Sequence, residues 1–303
     1  MLSLRPARPE DAGACGAICF EAFRAINAHY GFPPDFPSLE AAVGALSSMF
    51  SHSGFWCVVA EQDGRIIGSN CLDERSEVCG VGPLTVDPGI QNQGVGRRLM
   101  EAVLERGRER NAPSVRLLQS TFHGRSLSLY AKLGFEVREL LSVMQGPPIR
   151  SRFEGISGRP AQPQDLDAAN RVCRLVHGHT RSGELSDGIA RGTALVVERQ
   201  GRITGYASAL AYFAHAVAET TLDLQALIAS VESFGGAGII IPTGNAELFR
   251  WCLENGLRVV QPLTLMTTGL YNQPAGAWLP SISLLNNFLL LNASRGYNQD
   301  TRA

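Results

Sequence analysis

The chain has 303 residues, of which 45% are hydrophobic and 18% charged, and its formal net charge is −1. At about 150 residues per domain it has room for two cores, and this balance excludes both a disordered chain and a nucleic-acid binder that relies on bulk positive charge. No run of about 18 apolar residues occurs, and the N-terminus carries charges where a signal peptide has its apolar stretch, so a soluble cytoplasmic protein with no membrane or nucleic-acid partner is expected. The 7 cysteines, at positions 15, 19, 57, 71, 79, 173 and 252, form no CxxC pair and read as buried thiols rather than a disulfide frame. Lys132 is the only lysine among 27 basic residues, which rules out a GxxxxGK[ST] phosphate loop.

Apolar periodicity and turn residues predict, in chain order, a strand over 2–5, a helix over 10–27, a Pro- and Phe-rich loop over 31–38 and a helix over 39–51. Strands follow at 55–61, 65–73 and 78–86, then a helix at 95–109, a strand at 114–120, a helix at 125–133 and a strand at 135–143. Gly80, Gly82 and Pro83 lie inside the third of these strands, and Pro83 cannot donate to a ladder, so a bulge is expected there.

The second half repeats the first weakly. LRPARPED from Leu4 is matched by GRPAQPQD from Gly158, and VVAEQDGRIIG from Val58 by VVERQGRITG from Val196, each a hairpin turning at Asp63-Gly64 or Gln200-Gly201. LYAKLGFEV from Leu129 is matched by WCLENGLRVV from Trp251, in each case a helix ending in glycine before a strand. Three matches in the same order predict duplicated domains over 1–147 and 156–285, with a tail over 286–303. The fold class expected is mixed α/β, each domain a twisted, mostly antiparallel sheet flanked by helices.

The strongest local signal is LTVDPGIQNQGVGRRLMEAVLERGRER, from Leu84 to Arg110. A strand ends at Val86, Asp87-Pro88-Gly89 turns, and the loop Gln91-Asn92-Gln93-Gly94-Val95-Gly96 opens an amphipathic helix. A helix start leaves N–H groups without partners, and glycines let an anion approach them, so this geometry suits a pyrophosphate. Arg97 and Arg98 in the first turn oppose the helix dipole by roughly 0.3–1 kcal/mol each, which a bound anion would offset. The alternative is a tight turn, with the arginines paired to Glu101 at helical spacing. A dinucleotide fingerprint fails, because Leu99 stands at the third glycine position and no acidic residue ends a strand about 20 positions on.

The string Gln91-x-x-Gly94-x-Gly96 resembles the acyl-CoA pyrophosphate loop of the GNAT N-acetyltransferase superfamily, and LYAKLGF, Leu129 to Phe135, is similar to that family's fourth-helix signature. The resemblance covers about residues 2–145. It implies acetyl-CoA as cosubstrate and an amine as acceptor. It further implies that a splayed strand offers the backbone of Leu84, Thr85 and Val86 to the thioester arm. Tyr130 is the implied general acid toward the CoA thiolate. His123 and Ser126 stand where the family often has asparagine and alanine along the arm.

No general base is readable: Asp73, Glu74 and Glu77 fall at a hairpin, where carboxylates are ordinarily solvated. The second copy has no glycine in ETTLDLQALIASVE and aligns Cys252 with the tyrosine, so a degenerate half that covers the first sheet or closes the acceptor pocket is expected. The loops His29 to Phe36 and His177 to Asp187 are candidates for that pocket. Cys173, His177 and His179 lack a fourth ligand in register, and no metal is expected. A non-catalytic acyl-CoA sensor is the rival to an N-acyltransferase.

Overall fold

The computed structural model describes residues 1–281, so the tail expected over 286–303 lies outside the described residues. The first half runs β1 (Leu2–Pro6), α1 (Ala12–Tyr30), α2 (Leu39–Ser51), β2 (Phe55–Gln62), β3 (Arg65–Asp73), β4 (Cys79–Val81) and β5 (Thr85–Val86). It continues with α3 (Val95–Glu109), β6 (Ser114–Ser120), α4 (Gly124–Lys132) and β7 (Glu136–Gln145). The strand expected over 78–86 is thus two strands, because Pro83 has no N–H for the ladder and Gly82 sits at φ 139°, a backbone open to glycine.

The second half runs β8 (Ile156–Pro160), α5 (Leu166–His177), α6 (Ser182–Ala190), β9 (Leu195–Arg199), β10 (Arg202–Ala207) and β11 (Ala216–Ala218). There follow α7 (Thr221–Ile228), β12 (Ile239–Pro242), α8 (Ala246–Glu254), β13 (Arg258–Gly269) and β14 (Ala277–Leu279). Most of the segment from His177 to Asp187, read as a loop, is the end of α5 and the start of α6. The described residues form two sheets, in the orders β1-β2-β3-β4-β6-β13-β7-β12 and β14-β11-β10-β9-β8, with β5 paired to β3.

The two repeats exchange their last strands. β13 lies antiparallel between β6 and β7, with Leu265 opposite Leu118 and Leu263 opposite Leu141, and β7 in turn pairs with β12. Alternation along the strands sorts the side chains to two faces. Cys57, Val59, Leu263 and Leu265 pack with α1 and α2, while Val58, Ala60, Leu117 and Met266 pack with α3. All 7 cysteines are buried and free, as the sequence implied.

The repeat is also a repeat of interactions. Arg5 grips both oxygens of Asp11 at 2.7 and 2.9 Å and Glu61 at 2.6 Å; Arg159 holds Asp165 and Glu198 at 2.7, 2.9 and 2.6 Å. Each guanidinium holds its aspartate below the usual carboxylate range.

The loop after α1 joins the halves. The half-buried Asp35 accepts hydrogen bonds from Tyr212 Oη at 2.8 Å, Gln261 Nε2 at 3.1 Å and Asn27 Nδ2 at 3.2 Å. Burial pushes the Asp35 carboxyl up, against these donors. With a raised native pKa, the folded state binds more protons than the unfolded chain, so Asp35 stabilises below its unfolded pKa and loses that contribution as pH rises through the raised one. The carbonyl oxygen of an amide at position 35 keeps accepting from Tyr212 and Gln261, and only the longest of the three bonds, from Asn27, is lost. Asp35→Asn is therefore expected to stay folded and to gain stability relative to wild type as pH rises from 4 to 8, read from urea midpoints. A difference independent of pH would remove the titration of Asp35 from the account.

Candidate active site

β4 and β6 are bonded in parallel only at Cys79/Val115 and Gly80/Arg116. Beyond the break at Gly82-Pro83, β5 keeps to β3 and leaves β6, so a fork opens between them. Asp87 N donates to Ile67 O at 2.9 Å. Because alternate residues of an antiparallel strand face the same neighbour, Thr85 also turns its backbone to β3, and Leu84 and Val86 turn theirs to the fork. The Thr85 hydroxyl is buried, 3.5 Å from Ser69 Oγ. The expected trio thus divides: Leu84 and Val86 face the fork, and Thr85 braces it.

Below the fork the loop runs from Gln91 to α3. Gly94 is the N-cap at φ 81°, in the left-handed region that favours glycine, and no side chain caps the helix. Arg98 N donating to Gly94 O at 3.1 Å is the first turn's backbone bond, so the N–H groups before it point out of the helix start. Val95 is buried in the α3 core and anchors the turn, while Asn92, Gln93 and Gly94 are exposed. A Cβ on Gly96 would sit 3.7 Å from Val86 and 3.8 Å from Leu129, ordinary contact, so the need for a bare backbone lies at Gly94.

The arginines divide as well. Arg97 lies 3.3 Å from Glu101, the helical pairing named as the alternative, and Arg98 Nη1 donates to Leu2 O at 3.2 Å. Arg125, which the sequence reading passed over, donates to Gln91 Oε1 at 2.8 Å and Asn92 Oδ1 at 3.1 Å. Gln91 Nε2 in turn donates to Val86 O at 3.3 Å, so one chain of bonds links α4, the loop and β5. A lone arginine on an exposed helix face gives no signal in sequence.

Tyr130 is half-buried on α4 with its ring 6.0 Å from that of Phe135, among the side chains packed against the α3 core. Its hydroxyl has no hydrogen-bond partner among the described residues, and burial pushes the phenol up to about 12. Tyr130 therefore keeps its proton at neutral pH and has it free to donate. His123 is the N-cap residue of α4; burial, and secondarily Arg125, hold its pKa down, and Nε2 is buried without a partner. Ser126 Oγ is already occupied, donating to His123 O at 2.9 Å and accepting from Gln119 Nε2 at 3.1 Å.

The second half lacks this geometry. Thr220 caps α7, accepting from Asp223 N at 3.1 Å, and Asp223 is a fully buried carboxylate in the first turn, where a phosphate would be repelled. β11 pairs with β14 rather than with β12, and Ala216, Ala218, Ala277 and Leu279 pack with Ile239 and Ile241 between them. Cys252, at the tyrosine's place, is fully buried.

A cavity lies where the two halves meet at the base of the fork. It is lined from the first half by Asp73, Val81, Arg116 and Leu118, and from the second by His177, His179, Arg181, His215 and Trp278. Asp73, the hairpin carboxylate, is bound to Arg75 at 2.6 Å. The loop His29 to Phe36 does not line the cavity: Phe36 packs on Phe23 and Phe213, and Asp35 is committed to the inter-half bonds. Phe32 stacks on Phe122 at 4.2 Å. Among the described residues no three of His, Cys, Asp and Glu are placed to hold a metal, and no helix is long and apolar enough to cross a membrane.

Residues 21–135 match the acetyltransferase (GNAT) family. Mycothiol acetyltransferase of Propionibacterium freudenreichii is 32% identical over 113 residues, 37% of this chain and 32% of that protein, so the match spans about a third of the curated relative. A putative acetyltransferase from Pyrococcus horikoshii superposes with TM-score 0.69 at 18% identity, over 94% of this chain and 93% of that one. A tandem GNAT protein from the clavulanic acid biosynthesis pathway superposes with TM-score 0.54 at 13% identity, over 89% of this chain and 98% of its own. Residues 21–135 thus match the GNAT acetyltransferases, and the chain as a whole has a two-sheet fold similar to that of these two solved structures.

Proposed function

We propose that the protein is an acetyl-CoA-dependent N-acyltransferase that moves an acetyl group to a primary amine by direct transfer in a ternary complex, with one working half and one degenerate half. The observation that carries this reading is the fork between β5 and β6, with an uncapped glycine-led helix start at one end and Tyr130 packed against the same apolar cluster as Leu84 and Val86.

The Gly94 turn and the N–H groups of the first α3 turn receive the pyrophosphate, with Gln91, Asn92 and Gln93 forming the loop and Arg125 bracing it. Arg97 and Arg98, both exposed, add positive charge to that seat. The pantetheine arm enters the fork beside His123 and Ser126, completing the strand that β5 leaves open. A backbone N–H of Leu84 or Val86 donates to the thioester oxygen as charge develops on it. The neutral amine attacks the carbonyl carbon, the C–N bond forms and the C–S bond breaks. Tyr130 gives its proton to the departing thiolate, and the proton lost by the amine leaves through solvent.

The acceptor approaches from the cavity between the halves, so the second half closes the site rather than holding a second CoA. In that half β14 closes the edge of β11. The reading is tested by thermal denaturation with and without acetyl-CoA. Ligand at about 100 times its dissociation constant stabilises the native state by about 2.7 kcal/mol, and Gly94→Glu, which sets a carboxylate in the phosphate seat, is expected to remove that shift. No shift of the wild type at millimolar acetyl-CoA would reduce the loop to a turn.

A further inference from the structure

The cavity between the halves contains two polar groups whose needs are opposite. Arg116 has no carboxylate within ion-pair distance among the described residues; the charge that acts on it most strongly is another cation, Arg181, and its guanidinium lies 5.4 Å from the Tyr271 ring. Its Nε is buried and bonded to nothing. This differs from its neighbours, since Arg75 is paired with Asp73 and Asp187, and Arg181 with Glu184. A half-buried guanidinium without a partner is costly, and it needs an acceptor.

His179 has the converse need. Its Nδ1 lies 3.1 Å from Thr180 O, and since a carbonyl only accepts, Nδ1 carries the proton. Nε2 is then a lone pair, and it is buried with no donor. Burial holds this imidazole down to about 4, so it is neutral at pH 7. Both residues line the one cavity, beside the apolar surfaces of Val81, Leu118, Leu265 and Trp278.

We infer that the cavity is the acceptor pocket and that its occupant is an amino-acid-like amine: Arg116 takes its carboxylate, and His179 Nε2 accepts an N–H from its amine. One zwitterion satisfies both groups, where a simple alkylamine leaves Arg116 unpaired and a simple anion leaves His179 unpaired. The apolar wall takes the side chain of a nonpolar amino acid. The amine is held at the base of the fork, where β4 and β6 begin to part. The inference rests on the transferase reading for what happens next, but the binding it describes is measurable without turnover.

The test is calorimetric titration of the full chain with L-leucine, L-leucinamide, isoamylamine and O-phosphoethanolamine, on wild type, Arg116→Gln, Arg116→Lys and His179→Phe. Leucine is expected to bind wild type at least 30-fold more tightly than leucinamide or isoamylamine. Arg116→Gln should erase that preference while melting no lower than wild type, since it removes an unpaired cation; Arg116→Lys should restore part of it. His179→Phe should weaken leucine and leucinamide together. Equal binding of leucine and its amide by wild type, or a preference that survives Arg116→Gln, overturns the assignment; tighter binding of O-phosphoethanolamine than of leucine overturns the carboxylate. Acetyl-CoA titrated into the same variants separates the two claims: loss of acetyl-CoA binding in wild type with carboxylate preference intact fails the transferase and leaves the pocket standing.

Discussion

Tyr130→Phe is expected to lower kcat by about 100-fold while leaving KM for the amine within about twofold. The lower end of general-acid catalysis is about 100-fold, and a proton delivered only as the C–S bond breaks contributes to the transition state and not to binding. Among the described residues the hydroxyl has no partner to lose, so the substitution removes one oxygen without orphaning a donor or acceptor there, and the ring keeps its packing against Phe135. Stability should therefore change by less than about 1 kcal/mol. The pH profile supplies a second, independent readout. The acid must be protonated to work, and burial pushes its pKa up to about 12, above the ordinary phenol value. The Tyr130-dependent rate should hold through pH 10 instead of halving there. An unchanged kcat would make Tyr130 a packing residue, and an alkaline limb near pH 10 that vanishes in Tyr130→Phe would contradict the burial.

The parts of this site that sequence exposes are those built from neighbours in the chain. The glycine loop is legible because a strand end, a turn and a helix start occur within Leu84 to Arg98, and Gly94 adopts the positive φ that its glycine permits. The duplication is legible because the Arg5 and Arg159 clips each close over six residues, so LRPARPED and GRPAQPQD preserve both partners.

What stayed hidden depends on distant pairing. The apolar pattern of β13 is the same whether it lies beside β6 or elsewhere, since alternation fixes faces and not neighbours. Arg116 reads in sequence as one polar residue in an alternating strand; only the fold shows that its face meets His179, from the other repeat. β14 is three residues long, too short for any period, yet it closes the edge of β11. The missing glycine and tyrosine of that half are read directly from the sequence, and the pairing of β11 with β14 is not.

The strand exchange leads to the second large expectation: residues 1–155 expressed alone will not fold, although they hold every residue of the proposed CoA site. Without β13, β6 loses its neighbour on one side and β7 loses both, since β7 touches only β13 and β12 in the sheet. Leu263, Leu265 and Met266 of β13 are almost fully buried. At about 1.5–3 kcal/mol for each fully buried side chain, their loss costs about 5–9 kcal/mol before the exposed partners Leu117, Leu118 and Leu141 are counted. That matches the whole stability of an ordinary domain, about 5–15 kcal/mol. The Asp35 bonds to Tyr212 and Gln261 go with it, leaving that carboxylate with Asn27 alone. Circular dichroism and urea titration of the fragment should show no cooperative transition, and adding residues 156–281 in trans should restore one, together with the acetyl-CoA shift. A monomeric 1–155 fragment that unfolds cooperatively and binds acetyl-CoA would mean that β7 can return to β6 and that the exchanged strands are not required. Strand exchange gives the second half a structural part in the first: it supplies the strand that completes the first sheet and one wall of the cavity at the fork.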